Sequence, residues 1–132
     1  MNKIYFLYSF YNLVRDMIET KIGDFEETLM LIVGILGESD AYAFRIAKAF
    51  EQRTERSISI GSVHSTLDRL ETKGFVRSSL QNATSERGDR KKRIFVITAL
   101  GKRVLKESME FKVQLWKEYP AFAGKLGLIK LS

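Results

Sequence analysis

Residues 60–76 read Ile-Gly-Ser-Val-His-Ser-Thr-Leu-Asp-Arg-Leu-Glu-Thr-Lys-Gly-Phe-Val, and no other stretch restricts the fold so tightly. Ile60, Val63, Leu67 and Leu70 recur at helical spacing, about 100° per residue, and share one narrow arc. Gly61, Ser62, Ser65 and Arg69 point the other way. The pattern predicts a helix over 60–73 with one face to bury and a small, polar, singly basic face to show. Ser59 is placed to cap its start, and Gly74 supplies the left-handed residue that stops it. Taken alone, the segment fits an ordinary surface helix as well as one that lies against a partner. What flanks it shifts the balance.

Downstream of Gly74 the period changes from helical to extended. Residues 75–80 read as a strand and 92–98 as a stronger one, with a polar stretch, 81–91, between them and Gly88-Asp89 as its turn. Thr98 or Ala99 then starts a long helix through Trp116, stopped by Pro120, and residues 120–132 form a tail with no clear pattern. Upstream, Asp24 is placed to cap a helix over 25–36 that is apolar nearly all round and therefore expected to be buried; Gly37 ends it. Asp40 is placed to cap the next, running to about Arg53, with Ala43, Ile46, Ala47 and Phe50 facing inward. Three helices and a hairpin are the parts of a winged helix-turn-helix, with 60–73 as recognition helix and the hairpin as wing. The expected fold class is mainly α with a small β-hairpin (α+β), a winged helix-turn-helix over 23–98 flanked by dimerisation helices at 1–22 and 99–119.

A chain of 132 residues with 45% hydrophobic residues holds one domain with a real core. It has no cysteine, which excludes a disulfide framework and a thiolate metal site and fits a cytoplasmic protein. The apolar start, Ile4 to Val14, resembles a signal peptide superficially. Arg15, Asp16, Glu19 and Lys21 stand where a cleavage site would be, and eleven residues cannot span a bilayer. Instead, Ile4, Leu7, Tyr11, Val14 and Ile18 form one helical stripe and Phe6, Phe10, Leu13 and Met17 the next. That face is too broad for a small neighbour, so a second subunit is expected to cover it. A membrane surface is the weaker alternative, because the polar side is not cationic.

The charge is concentrated. Between Arg87 and Lys106 stand eight basic residues and one acid, a net of +7 in a chain of +6, so the remainder sums to −1. A localised basic patch on a near-neutral body points to a polyanion.

Residues 59–76, followed by Glu86-Arg87-Gly-Asp-Arg-Lys-Lys-Arg-Ile-Phe-Val-Ile-Thr-Ala-Leu-Gly101, are similar to the PadR-like transcriptional regulators. That family carries Gly-x-(Val/Leu)-Tyr-x-x-Leu-x-Arg-Leu-Glu-x-x-Gly in its recognition segment and Gly-Gly-Arg-x-(Arg/Lys)-x-x-Tyr-x-(Ile/Leu)-Thr-x-x-Gly in its wing. The resemblance covers about 23–105. It implies a homodimeric regulator of double-stranded DNA, usually a repressor, released in some members by small molecules. This chain departs from the pattern at His64 in place of tyrosine, at Asp89 in place of the second wing glycine, and at Phe95-Val96 where paired aromatics are common. The segment 1–22 exceeds the short lead-in of many members.

Candidate DNA-contacting residues follow. Arg87, Arg90, Lys91, Lys92 and Arg93 of the wing suit phosphates, since clustered cations release condensed counterions without reading sequence. On the recognition helix, Ser59, Gly61, Ser62 and Ser65 allow close approach and short hydrogen bonds. Arg69 suits a guanine edge or a phosphate, or else pairs with acidic neighbours. His64 flanks the buried arc and is either a structural group or a backbone or phosphate contact. No catalytic constellation, metal-ligand cluster or cofactor loop is present, so neither an enzyme nor a cofactor is expected. A winged-helix module that binds an acidic protein is the alternative function. In the last helix Leu105, Met109 and Trp116 lie on one stripe and Val104, Phe111 and Leu115 on another, again suited to a homodimer. Phe111, Trp116 and Tyr119 either pack that interface or border a cavity for a flat aromatic effector.

Overall fold

The computed structural model describes residues 3–18, 22–82 and 91–121. The order is α1 (Lys3–Ile18), α2 (Asp24–Leu36), α3 (Ala43–Thr54), α4 (Ile60–Thr72), β1 (Val76–Asn82), β2 (Lys91–Ile97) and α5 (Ala99–Glu118). Leu29, Met30 and Val33 of α2, Ile46 and Phe50 of α3, and Val63, Leu67 and Leu70 of α4 meet Phe75, Val76, Phe95 and Val104 in one buried cluster. This is a winged helix-turn-helix: three helices around a core, closed on one side by the hairpin.

Two helix starts differ from expectation. Gly23, not Asp24, occupies the N-cap of α2, without a side-chain cap, and Glu26 at the third helical position reaches back to accept the Gly23 N–H at 3.0 Å. Asp24 becomes the first helical residue. Before α3 the N-cap is Tyr42, without a side-chain cap bond, rather than Asp40. Residues 38–40 are instead taken up in a turn closed by the Ala41 N–H on the Gly37 carbonyl at 3.1 Å, and the Phe95 N–H donates to the Ala41 carbonyl at 2.9 Å, so the helix starts only after Tyr42.

Helix α4 starts as expected, with the Ser59 hydroxyl accepting the Ser62 N–H at 3.0 Å, and Gly74 follows it at φ +82°. Its buried arc is Val63, Thr66, Leu67 and Leu70; Ile60, expected in that arc, sits in the first turn beyond the core and is exposed. Helix α2 is less buried than its composition suggests, since Leu31 and Ile35 project away from the core and remain exposed. The hairpin is antiparallel in the register Val76↔Ile97 to Asn82↔Lys91, with β1 starting one residue later and ending two residues later than the sequence pattern indicates. Its connecting segment, with Arg87, Arg90 and the Gly88-Asp89 turn, lies outside the described residues.

Thr98 joins hairpin to α5. Its hydroxyl accepts the Gly101 N–H at 3.0 Å, capping the helix, and donates to the Gly74 carbonyl at 2.6 Å, so one side chain fixes α5 against the end of α4. Farther along, the Lys112 ammonium pairs with Glu27 and Asp24 of α2. Around and beyond that anchor, Phe111, Leu115, Trp116 and Tyr119 are exposed, as are Ile4, Phe6, Leu7, Phe10, Tyr11 and Leu13 of α1. No helix among the described residues is long and apolar enough to cross a membrane.

Candidate nucleic-acid interface

The outer face of α4 carries short side chains tied to their own backbone. Ser59 donates through its hydroxyl to Ser62 Oγ at 3.0 Å, and Ser65 Oγ donates to the Ser62 carbonyl at 3.2 Å. A Cβ on Gly61 would meet only Ser59 Oγ, at 3.9 Å, so the helix is thin there and open to close approach. Ser62, Ser65, Asp68, Arg69 and Thr72 are all exposed on this face, while His64 is half-buried at its flank. Arg69 turns its Nη2 onto Thr66 Oγ1 at 3.3 Å. Among the described residues it makes no direct ion pair, although its charge favours the ionised form of Glu26.

The wing cations do not behave alike. Lys91 is exposed. Lys92 is half-buried with its ammonium 4.1 Å from the centre of the Tyr42 ring, a cation–π contact that leaves its charge near the surface. Arg93, grouped by sequence with the phosphate contacts, is turned inward. Its Nη1 lies 2.8 Å from Asp68 Oδ1, its Nη2 2.7 Å from Glu71 Oε1, and its Nε donates to Ser78 Oγ at 3.0 Å. Its plane also covers the Phe95 ring at 4.8 Å. Arg93 thus clamps the wing to the recognition helix, with Nε, Nη1 and Nη2 each engaged by a partner within the protein.

Glu71 completes the clamp by accepting both the Ser78 N–H at 2.8 Å and the Ser78 hydroxyl. Partial burial pushes the Glu71 carboxyl up, but the bonds from Ser78 and the Arg93 charge outweigh it, so the group ionises below its ordinary range. Desolvation likewise opposes the charge on Arg93, and its bonds to Asp68 and Glu71 more than restore it. Asp68 and Glu71 went unnoticed in the sequence because they contact β2, more than twenty residues away. The Arg-Leu-Glu triplet of the recognition motif was the one available signal.

In the last helix, Trp116 and Tyr119 stack at 6.4 Å with planes 12° apart, beside a cavity of about 220 Å³ walled also by Lys112 and Leu115. Phe111 does not join them. It precedes Trp116 by five residues, about 140° around the helix, and lines neither of the cavities beside Trp116. Among the described residues no group of three or more His, Cys, Asp or Glu side chains is placed to hold a metal.

A helix-turn-helix with a wing locked to its second helix defines the class, a winged-helix protein with a shallow, partly basic presenting face. Residues 32–107, more than half of the chain, match the model of the transcriptional regulator PadR-like family, and the chain belongs to that family. Among solved structures it is similar to a PadR family transcription regulator from hypervirulent Clostridium difficile, at 29% identity over 75% of this chain and 96% of that one, with a TM-score of 0.51. A transcriptional regulator from Clostridium thermocellum matches at 23% identity over 77% and 98% of the two chains, TM-score 0.54. Bacillus subtilis PadR, solved in complex with operator DNA, matches at 17% identity over 64% of this chain and 47% of its own, TM-score 0.51. This chain therefore spans about half the length of the Bacillus protein. At such identities the last two show the shared fold alone. No curated protein sequence matches the chain significantly.

Proposed function

We propose that this PadR-like regulator binds double-stranded DNA as a homodimer, placing α4 in the major groove and the wing on the flanking phosphates. The observation that carries the proposal is the clamp between Arg93 and α4, which fixes the wing beside a helix face of glycine and serines. Rigid spacing between a groove-sized helix and a basic hairpin suits a duplex, whose groove and backbone stand at a set separation. In this reading Ser59, Gly61, Ser62, His64 and Ser65 meet the groove and Lys91 and Lys92 meet phosphates, and the sequence adds Arg87 and Arg90 as further phosphate ligands. The operator DNA named for the Bacillus protein supports the same use of the fold. Two copies related by a twofold axis call for an inverted-repeat operator, and repression follows from occupying it. The α5 cavity at Trp116 and Tyr119 is the proposed seat of an aromatic effector that releases DNA.

Fluorescence anisotropy with duplex DNA over a range of salt tests the proposal. Three or four phosphates per subunit give a log–log slope of about −5 to −7 for a dimer. Arg90→Ala with Lys91→Ala should weaken all sequences together and flatten that slope. Absence of binding to any duplex, selected genomic fragments included, would overturn it.

A further inference from the structure

On the flank of α4 opposite the wing, a cavity of about 360 Å³ opens between the end of α3 and the exposed face of the recognition helix. Two guanidiniums line it, Arg56 and Arg69, together with the hydroxyl-bearing Ser62, Ser65 and Thr66. Both cations are held in place. Arg56 stacks on the Phe50 ring with its guanidinium carbon 5.3 Å from the ring centre, and Arg69 donates to Thr66 Oγ1 at 3.3 Å.

Neither cation has a carboxylate partner among the described residues. Glu26, whose ionisation Arg69 favours, spends its oxygens on the Gly23 N–H and on Lys73, at 3.0 and 3.2 Å. Two like charges on the wall of one cavity repel, and a fold that anchors both there without a directly paired acid leaves room for a compensating anion from outside. Each guanidinium offers five donors in a rigid fork, and here only one of them is used by a hydrogen bond within the protein. The neighbouring serine hydroxyls can donate to the same ligand.

We infer that Arg56 and Arg69, with Ser62 and Ser65, form a seat for a tetrahedral oxyanion. The source the position favours is a backbone phosphate of the same DNA, gripped on the side of α4 away from the wing. The inference rests on the proposed function for that source, and of the roles open to Arg69 it selects the phosphate ligand over the base reader. It also adds Arg56, on which the sequence pattern is silent. With the wing on one flank and this seat on the other, α4 is held between two phosphate contacts, which sets its depth in the groove.

The test compares Arg56→Gln, Arg69→Gln and the charge-retaining Arg56→Lys with the unaltered protein, each first checked by thermal melting for an intact fold. Each Gln substitution should flatten the salt slope of a dimer by about 2, one phosphate per subunit at about 0.9 each, and weaken all duplex sequences by the same factor. Arg56→Lys should keep most of the slope. In parallel, inorganic phosphate is titrated into the free protein while the amide signals of Ser62 and Ser65 are followed by NMR. Saturable shifts that disappear in Arg56→Gln, with an unchanged DNA slope, support the oxyanion seat and name a free anion as its source. No change in slope together with no saturable phosphate shifts overturns the inference. So does a change of sequence preference in Arg69→Gln, which would make Arg69 a base reader. If the unaltered protein binds no duplex at all, the proposed function fails by itself, and the phosphate titration still decides the seat.

Discussion

Gly101 lies directly beneath the carbonyl of Phe75, so close that a Cβ on it would stand 2.1 Å from that oxygen. The same carbonyl accepts the Thr98 N–H at 3.1 Å. The first turn of α5 is therefore pressed onto the entry to β1, and the direction in which α5 leaves the domain is set by a glycine that no other residue can replace without backbone movement. This explains why a Thr-x-x-Gly pattern closes the wing segment: threonine caps the helix and glycine lets it approach.

Gly101→Ala is accordingly expected to lower stability by about 3 kcal/mol, since the added methyl meets backbone oxygen and Ile97 Cγ2 rather than a side chain able to turn away. In a domain of this size that is a fall in Tm of roughly 10 °C. Calorimetry decides it; a shift under 2 °C would mean that the α5–β1 contact is loose.

Substitutions at Lys91 and Arg93 should separate cleanly. Lys91→Ala removes an exposed cation and is expected to leave Tm unchanged while reducing the salt slope of DNA binding by about 0.9 per subunit. Arg93→Ala removes the partner of two carboxylates and is expected to cost about 1 kcal/mol, the pair energies being discounted for partial exposure. DNA affinity should fall with it, because Asp68 and Glu71 then face the phosphates uncompensated and the wing loses its anchor. Equal effects of both variants on slope and none on Tm would refute the clamp.

The clamp also predicts a pH dependence. Glu71 ionises below its ordinary value of 4.5 in the folded chain, so its contribution to stability is complete above that value and is lost as pH falls through the folded pKa. Glu71→Gln should be less stable than the unaltered protein at neutral pH and approach it as the medium is acidified below the ordinary value of 4.5. Urea titrations at several pH values between neutrality and pH 3 measure the gap. A gap that stays constant with pH would show that Glu71 acts through shape alone.

The recognition helix was legible because its evidence is local. Four apolar positions, a serine cap and a glycine stop lie within sixteen residues, and the cap and stop act as their chemistry dictates. The wing strands were legible from β-branched and aromatic content. What local pattern could not disclose is how Arg93 differs from Lys91. Both read as members of one basic run, and only the pairing of β1 with β2 brings Arg93 to Ser78 and Glu71. Arg56 was hidden for the same reason, since its meaning depends on Phe50 and Arg69 standing around one cavity. The caps expected at Asp24 and Asp40 fall instead at Gly23, where Glu26 reaches back, and at Tyr42, after a turn closed on Gly37.

The exposed apolar faces of α1 and α5 carry the dimer prediction. Leu31 of α2 and Leu105, Met109, Val113 and Trp116 of α5 border an apolar hollow of about 440 Å³, a shape that a helix from a second copy can enter. Met109→Glu combined with Val113→Glu should convert the dimer to monomer in sedimentation velocity, and removal of residues 1–21 should yield monomer or aggregate. Should the deletion product remain fully dimeric and soluble, α1 has no part in the interface.

The effector prediction follows from the stacked pair at the end of α5. Trp116 and Tyr119 present parallel rings beside a cavity of about 220 Å³, and planar apolar compounds match such a wall. Trp116 is the single tryptophan of the chain, so its fluorescence reports on that wall alone. Titrating planar aromatic compounds into the protein should quench it saturably, and Trp116→Phe, followed by calorimetry, should weaken the same compounds. Phe111→Ala should leave affinity unchanged, because that ring lies on another side of the helix. Linkage supplies the stricter criterion. A compound that releases DNA must bind more weakly, by the same factor, when operator is present. A compound that quenches saturably yet keeps its affinity on the DNA complex would occupy the wall without regulating anything, and the stacked pair would then be part of the dimer contact rather than an effector seat.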